Sequence, residues 1–501
     1  MRQRVCWGAV IFAGVVLAAS SADAQSVSPS PSALPERVGS APAAVVAAAT
    51  TTPQTPYPFP AAGWGPPVGG DFFLHRWVED WRGVRAAGAA PPLKAIALGG
   101  ELSASISGEA RLRYDVYDNA SATRGNDYNQ ALFRGVLGAD VRYGDHLRVF
   151  GEVGTGQIEG RKDAALASFQ NDASLQQLFL EVQGRVDSVL VGAIIGRQEF
   201  TDGSRALMGV SDGPNLHRSW NGLRLYAHGE RWRAGAFDLR VTRLGSSGFG
   251  DEDINHADRL QGVNASLLLS RSERGSNIYL DPFWMHTEYG SYRVGGVLGP
   301  DKRDTVGARL WSRRGRLAID WTAASQTGDS NGRDVSAWAL FLTQTVQVTN
   351  TGWKPRLGVR IDVGSGGGSY TGGDVHTFNQ LYENQSYLGE GLFLSPSNLL
   401  LVSPNLSVSP TPKLTMSAEY GFARRINEHD AAYAGLSRPY AGTQGVSGHE
   451  IGGLFRGVVN YAVNDRLSVM LNVEKFRAGE VLDRAGQPGG AYAYVGATFR
   501  Y

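Results

Sequence analysis

Cysteine is almost absent from this chain, and the single residue, Cys6, lies within the first 24 positions. If those positions are removed on export, the mature chain has none, which excludes disulfide scaffolds, thiolate metal sites and cysteine nucleophiles. Long apolar runs are also missing, because no later segment approaches the ~18 uncharged apolar residues of a membrane-spanning helix. An exported chain of this kind can still span a membrane, but only as a closed β-barrel whose backbone polar groups pair between strands.

Lysine is scarce as well, with six residues among 48 basic ones, so arginine dominates the positive charge. The formal net charge is only +1, and the chain as a whole is therefore not built to trap polyanions. Arginine presents a planar pair of donors to a carboxylate or a phosphate, whereas lysine acts as a point charge. The arginines gain a function only if they converge on one surface.

The first 24 residues predict a secretory signal peptide. Arg2 and Arg4 form a short basic region, residues 7–19 form an apolar core, and Ala22-Asp23-Ala24 supplies the small residues that precede a cleavage site. A transmembrane anchor is the alternative, but the apolar core is shorter than the ~20 residues that a spanning helix needs. Residues 25–70 are rich in alanine and proline and poor in charge, and they predict a flexible periplasmic leader.

Residues 71–98 predict a short amphipathic helical segment that leads into the rest of the chain. Asp71 can cap it, and Phe73, Trp77 and Trp81 recur every four residues on one face. We favour a locally packed helix over a segment that plugs a lumen or tethers the chain to the membrane interface. The sequence does not decide whether the segment plugs a lumen.

From residue 99 onward the hydrophobic pattern has a period of two. Between residues 104 and 116 the even positions are apolar or small, while the odd positions include Glu109, Arg111, Arg113 and Asp115. In a soluble β-sandwich the apolar face would be the core, whereas in a membrane barrel it faces lipid and the charged face lines the lumen. Eighteen such segments between residues 103 and 501 predict an all-β fold, a transmembrane antiparallel β-barrel.

Loop lengths favour the membrane barrel over the sandwich. Short connections follow the even-numbered strands and longer ones follow the odd-numbered strands, at 118–128, 158–174, 200–218, 244–258, 290–302, 365–397, 425–448 and 479–489, with the short link 328–333 as the exception. Short periplasmic turns and long extracellular loops are typical of bacterial outer-membrane barrels. We therefore expect residues 99–501 to form such a barrel in outer-membrane lipid, with Tyr501 as the terminal aromatic residue of its last strand.

The charged faces of the strands place arginines and carboxylates in a lumen that eighteen strands leave filled with water. Arginines there lower the barrier for anions, and interspersed carboxylates weaken each site so that an anion can leave. The alternative is that Arg–carboxylate pairs only brace the wall, and for the arginines as a set both interpretations stay open. The predicted solute path is lined by Arg111, Arg113, Arg134, Arg197, Glu199, Arg224, Arg240, Arg309, Arg356, Arg360 and Asp362.

Several short segments, in order along residues 71–501, resemble the alginate-export family of outer-membrane barrels. They include 106–114, 191–200, 220–225, 305–310 and 354–357, of which the second carries Gly196-Arg197-Gln198-Glu199. The resemblance implies an eighteen-stranded barrel with an arginine-rich constriction that passes an acidic polysaccharide, typically a polyuronate. It also implies roles for single residues: Glu199 and Asp362 act as spacers, and uronate carboxylates are attracted by Arg111, Arg113, Arg197, Arg224, Arg309, Arg356 and Arg360.

We therefore expect an outer-membrane channel that exports an acidic exopolysaccharide, alginate or a similar polyuronate, together with periplasmic export proteins. A selective diffusion porin for small anions or sugar acids is the alternative. The sequence has no H-E-x-x-H metal motif, and its nine histidines are scattered, with His217 in a predicted loop where histidines are usually solvated. We expect no enzyme activity, no metal or other cofactor, and no nucleic-acid partner.

Overall fold

The structure is a computed structural model that describes residues 70–161, 165–203, 206–271, 277–383 and 386–501. The predicted signal peptide at 1–24 and nearly all of the predicted leader at 25–70 lie outside the described residues. Within the described ranges, no helix is long and apolar enough to cross a membrane.

Eighteen antiparallel strands form one closed barrel, which confirms the predicted fold and strand number. Side chains alternate in polarity with a period of two along these segments, and this pattern suits a sheet with two different faces. Strands that are consecutive in the sequence pair with each other. The last strand pairs with the first, from Glu109↔Arg500 to Asp118↔Ala491, and this pairing closes the sheet. The bounds are β1 (Leu102–Asp118), β2 (Tyr128–Tyr143), β3 (Leu147–Glu159), β4 (Asn171–Val186), β5 (Val189–Gln198), β6 (Trp220–His228), β7 (Trp232–Arg243), β8 (Asp253–Ser270), β9 (Ile278–Val294), β10 (Val297–Arg314), β11 (Leu317–Ser330), β12 (Asp334–Gln347), β13 (Arg356–Gly364), β14 (Leu399–Thr411), β15 (Leu414–Arg424), β16 (Glu450–Ala462), β17 (Leu467–Ala478) and β18 (Gly490–Arg500).

The two faces of the wall have a burial pattern opposite to that of a soluble protein. On β1, Leu112 is 62% exposed, whereas its neighbours Arg111 and Arg113 are each 7% exposed. On β2, Leu137 is 58% exposed, whereas Arg134 is 2% exposed. Large apolar side chains cover the outside and ionisable side chains fill the inside, as a lipid-facing wall with a polar interior requires.

Connections differ between the two ends of the barrel. At the turn end, short turns such as residues 144–146 and 187–188 join the strands; at the loop end, most connections are longer. The three longest are loop 3 (residues 199–219), loop 7 (365–398) and loop 8 (425–449). The described parts of loops 3 and 7 are largely buried inside the barrel, whereas loop 8 is buried mainly at residues 430–435.

The predicted long loop at 290–302 is wrong. Strand β9 continues to Val294 and β10 begins at Val297, so Gly295 and Gly296 make a two-residue turn. The glycines of this stretch are typical of a loop. A tight hairpin turn, however, also requires glycine where the backbone has a positive φ. Gly295 has a φ of 57°.

Residues 70–95, called the plug segment below, enter the barrel at the turn end: residues 73–79 are buried, whereas none of residues 82–93 is buried. Arg82 Nη1 donates to the carbonyl of Gly144 in a short turn at 2.7 Å, and Arg148 of β3 donates to the carbonyl of Trp77 at 2.6 Å. The amphipathic helix that the sequence predicts around residues 71–82 is wrong, since only a 3₁₀ turn, Arg76–Val78, and a short helix, Arg82–Ala86, form. Residues 73–79 are buried without interruption, and a helix with one apolar face would not bury all of them.

Candidate anion-binding lumen

Most of the predicted path residues face the interior. Arg356 lies on the inner face of β13 at the turn end, where its Nε donates to Gln347 Oε1 at 2.5 Å. The following are buried inside the barrel: Arg111, Arg113, Arg134, Glu199, Arg224, Arg309, Arg360 and Asp362. The binding of an anion by these residues stays a prediction.

Arg197 and Arg240 face outward, contrary to the prediction. Arg197 pairs across the sheet with Leu178, which is 49% exposed on the outer face. Leu239 is fully buried, so the next residue on β7, Arg240, is on the opposite face. The assignment failed because both arginines lie near the loop end of the wall, and there a charged side chain no longer marks the interior.

We expect Arg197→Ala and Arg240→Ala to leave the ion selectivity of the channel unchanged, whereas Arg113→Ala should shift it toward cations. Arg113 is inside the barrel, and its loss leaves neighbouring carboxylates without their positive charge. Reversal potentials in planar bilayers under a salt gradient measure this selectivity. An equal shift in the Arg240→Ala variant would show that the outward placement is wrong.

Two arginines of adjacent strands hold an acidic residue of loop 3. Arg134 binds Asp212 Oδ1 at 2.7 Å through Nη1 and Glu109 Oε1 at 2.6 Å through Nη2. Arg111 donates to the backbone carbonyls of Asp212 at 2.8 Å and of Pro214 at 2.6 Å. Loop 3 therefore places carboxylate and carbonyl oxygens on both guanidinium groups.

His217 connects loop 3 to the end of β5, and it is buried instead of solvated as expected for a loop histidine. Its Nδ1 lies 2.6 Å from Glu199 Oε1, and its Nε2 lies 2.8 Å from Asp212 Oδ1. Although burial acts to lower it, the Glu199 carboxylate raises the pKa of His217 above its ordinary value. A protonated His217 can donate to both carboxylates at once.

Arg113 holds loop 7 in a similar way. Its Nη1 lies 2.8 Å from Glu390 Oε2 of that loop, and its Nε lies 2.8 Å from Asp115 Oδ1. Burial raises the pKa of Glu390, and Arg113 only opposes that shift. Burial also disfavours the charge of Asp212, but Arg134 and the other cations around it keep the pKa of Asp212 well below its ordinary value. Of the two loop carboxylates, Asp212 is therefore the more firmly ionised.

A further ion-pair network lies on β13 and β15. Arg360 is fully buried, with Nε 2.9 Å from Asp362 Oδ2 and Nη2 3.0 Å from Glu419 Oε1. Tyr387 of loop 7 donates its hydroxyl to Asp362 at 2.7 Å and accepts from Arg360 through its backbone carbonyl at 3.1 Å. Loop 7 is thus bound to this network as well as to Arg113.

Arg309 and Arg224 differ in their partners. Arg309 makes a bidentate pair with Asp320, with N–O distances of 2.7 and 2.6 Å. Arg224 has no carboxylate at ion-pair distance in the described part of the chain. It donates to Gln198 Oε1 at 2.5 Å and lies over the ring of Trp77 at 5.4 Å. Its charge is therefore compensated less than those of Arg309 and Arg360.

Loops 3 and 7 bind each other inside the barrel. The amide of Gly209 donates to the carbonyl of Tyr382 at 2.8 Å, and the amide of Tyr382 donates to the carbonyl of Leu207 at 2.9 Å. Arg218 donates to the carbonyls of Gly209 and Tyr382 at 2.9 and 2.8 Å. The two loops therefore act as one body that narrows the lumen.

The plug segment adds a cation that the sequence analysis missed. Arg76 is 3% exposed, and its Nε lies 2.5 Å from Glu152 Oε2 while its Nη1 lies 3.4 Å from Glu109 Oε2. His75 Nδ1 lies 2.9 Å from Glu199 Oε2. The adjacent His75 and Arg76 interrupt the apolar face proposed for residues 71–82, and this was the available signal that the segment contacts a charged wall.

Two segments have the G-x-S-x-G form of a hydrolase nucleophile. Gly328-Asp329-Ser330-Asn331-Gly332 lies in the hairpin between β11 and β12, and Gly209-Val210-Ser211-Asp212-Gly213 lies in loop 3. That chemistry needs the serine on a turn between a strand and a helix, whereas described residues 206–219 form a loop without a helix. The ring nitrogens of His217 contact carboxylates of Glu199 and Asp212, so the motif serves loop structure. Within the described ranges, no cluster of three His, Cys, Asp or Glu side chains could hold a metal ion.

Comparison with known proteins adds two findings. The sequence profile of a family described as alginate export matches residues 103–495. Solved structures with the same architecture include OccAB1 of Acinetobacter baumannii, with a TM-score of 0.56 and 11% identity over 79% of this chain and 96% of that one. No curated protein matches the chain.

Two further similar structures were determined with a small acid. OpdK of Pseudomonas aeruginosa with vanillate has a TM-score of 0.54 and 12% identity, covering 79% of this chain and 98% of that one. OccK2 (OpdF) of the same organism, in complex with glucuronate, has a TM-score of 0.50 and 12% identity, covering 79% and 97%. At these identities the similarity establishes the fold.

Proposed function

Because the chain belongs to the alginate-export family and folds as an outer-membrane β-barrel, we propose that it passes an acidic polysaccharide, alginate or a similar polyuronate, through its arginine-lined lumen. One observation carries the proposal. Carboxylates of the inward-folded loops, Asp212 and Glu390, occupy the arginines of β1 and β2 where a uronate carboxylate would bind.

The loop carboxylates act in this proposal as internal competitors of the solute. A uronate carboxylate that reaches Arg113 replaces Glu390, and one that reaches Arg111 and Arg134 replaces Asp212. Each exchange keeps the guanidinium group paired, so the buried charge is never left alone, which would cost several kcal/mol. Because binding is an exchange between similar partners, each site is weak enough for the polymer to move on.

Passage of small sugar acids or other small anions is the second candidate. The observation in its favour is that loops 3 and 7, bound to each other, and the plug segment all lie in the lumen. A monomeric acid requires less displacement of these segments than a polymer does. The similar structures with glucuronate and with vanillate hold small solutes of this kind.

Block of conductance separates the two candidates. If the polysaccharide is the solute, alginate oligomers added to the purified barrel in a planar bilayer should block an anion-selective current, with a block that strengthens with oligomer length. Monomeric uronate should block poorly. Equal block by monomer and oligomer would favour the small-solute channel, and a cation-selective current insensitive to both would contradict the proposed function.

If the loop carboxylates compete with the solute, block by uronate oligomers should differ between variants in a defined order. Asp212→Asn should increase block by uronate oligomers, because it removes the firmly ionised competitor from Arg111 and Arg134. A charge-assisted hydrogen bond contributes roughly 1.5–3 kcal/mol, which corresponds to about tenfold or more in affinity. Glu390→Gln should have a smaller effect in the same direction.

Glu159→Gln is the control for these two variants, because it removes an exposed carboxylate at the loop end of β3. Its block should equal that of the wild-type protein. Weaker block in Asp212→Asn would mean that this residue positions loop 3 for the solute and does not compete with it.

A further inference from the structure

Arg240 of β7, which faces outward, belongs to a charged area on the outer surface. This area, called the rim patch below, is formed by Asp238, Arg240, Arg259, Glu288 and Lys302. It lies directly above the apolar outer band. On β8, Val263 is 49% exposed, and on β10, Val306 is 57% exposed. Val263 is four residues from Arg259 on β8, and Val306 is four residues from Lys302 on β10. On β9, Trp284 is four residues from Glu288. One outward-facing position separates the patch from the apolar band on these strands, and it is occupied by Gln261, His286 and Asp304.

Sheet register makes the patch continuous across four strands. Arg240 pairs with Arg259, Arg259 pairs with Glu288, and Glu288 pairs with Lys302. Residues that pair directly across an antiparallel ladder point to the same face. Neighbouring strands lie about 4.8 Å apart, so the four side chains form a row roughly 15 Å long on the outer surface.

Positive charge in the rim patch is only partly neutralised from within. Asp238 makes a bidentate pair with Arg259 at 2.9 and 2.6 Å, and Glu288 lies 3.0 Å from Lys302 Nζ. Arg240 donates one hydrogen bond, to the carbonyl of His256 at 2.7 Å, and has no carboxylate at ion-pair distance in the described ranges. Its direct cross-strand neighbour, Arg259, is already paired with Asp238. Arg240 is therefore the cation of the row that an external anion would compensate.

We propose that the rim patch binds a phosphate group of a phosphorylated glycolipid in the outer leaflet. A barrel in this membrane has lipid against its whole apolar band, so the first polar surface beyond that band meets the lipid headgroups. Arginine binds phosphate through paired, charge-assisted hydrogen bonds. Arg240 and Arg259 supply two such groups side by side, and Lys302 adds a third cation along the row. Asp238 and Glu288 orient Arg259 and Lys302.

The test uses the purified full-length barrel in detergent, titrated with a bisphosphorylated lipid A-type glycolipid and with its dephosphorylated form, and bound lipid is counted by native mass spectrometry. The phosphorylated lipid should bind more tightly. Each basic residue near an anionic lipid surface contributes about fivefold in affinity, so Arg240→Ala should weaken binding about fivefold. The triple variant Arg240→Ala/Arg259→Ala/Lys302→Ala should weaken it further.

Arg271→Ala is the matched control. Arg271 follows β8 directly, at the opposite end of the strand that carries Arg259, and its side chain is 55% exposed. Its replacement should leave glycolipid binding unchanged. Equal binding of the two lipids by the wild-type barrel, or unchanged binding in the triple variant, would overturn the proposal. So would a lipid-free dimer that the triple variant abolishes, because the patch would then be a contact between two copies of the chain.

Discussion

Replacing Arg76 with alanine should raise the single-channel conductance severalfold and produce frequent openings. Arg76 anchors the plug segment through Glu152 and Glu109, and all three side chains are buried. Removing one member of a buried ion pair costs about 3–5 kcal/mol, which would shift the docking equilibrium of the plug segment by two orders of magnitude or more. Recordings in planar bilayers, with open probability and step size compared between variant and wild type, measure the effect.

Arg85→Ala is the control for that experiment. Arg85 also belongs to the plug segment, but within the described residues it donates to carbonyls of the same segment, those of Pro91, Pro92 and Lys94. Its loss removes the same charge without breaking a contact with the wall, and the conductance should stay low. If Arg76→Ala also conducts like the wild type, the plug segment is not what limits the current.

Replacing Arg360 with alanine should have the largest effect on the stability of the barrel. Arg360 compensates Asp362 and Glu419, and its loss leaves these two buried carboxylates short of positive charge, with Arg456, 3.5 Å from Glu419, as the remaining cation, at a cost of about 3–5 kcal/mol. Urea unfolding in detergent micelles, followed by tryptophan fluorescence, should show a lower midpoint. The double variant Arg360→Ala/Glu419→Gln should recover part of the loss, because one of the two uncompensated charges is then gone.

Lys475→Ala provides the comparison for an exposed pair. Lys475 lies 3.4 Å from Asp118, and both side chains are more than half exposed. Such pairs contribute about 0–1 kcal/mol, and the unfolding midpoint should hardly change. A similar loss of stability in both variants would mean that the buried network is no stronger than a surface ion pair.

The strand pattern was predictable from the sequence because each spanning strand has one face against lipid and one against polar groups. The resulting alternation, as in Arg111, Leu112 and Arg113, needs no knowledge of distant residues. The pattern fails near the loop end of the wall, where Arg197 and Arg240 are charged although they face outward. It also fails around Gly295, where a hairpin has the composition of a loop.

The interior contacts could not be predicted, because they join residues that are distant in the chain. Arg113 and Glu390 are 277 positions apart, and Arg76 and Glu152 are 76 positions apart. No local periodicity records such a pair. The sequence therefore identified arginines of the inner face. It could not identify their partners in loop 3, loop 7 and the plug segment, or the role of the loop carboxylates as competitors, because these depend on the three-dimensional arrangement.

The contact between the two ends of the chain has a consequence for the order of assembly. Tyr501 exchanges two backbone hydrogen bonds with Gly108, at 2.7 and 2.9 Å, and its ring lies 5.5 Å from the ammonium group of Lys94. This arrangement exists only after the final strand has met the first. Seating of residues 70–95 is therefore a late event in biogenesis, and a chain arrested with an open seam would keep its N-terminal region accessible to periplasmic proteases.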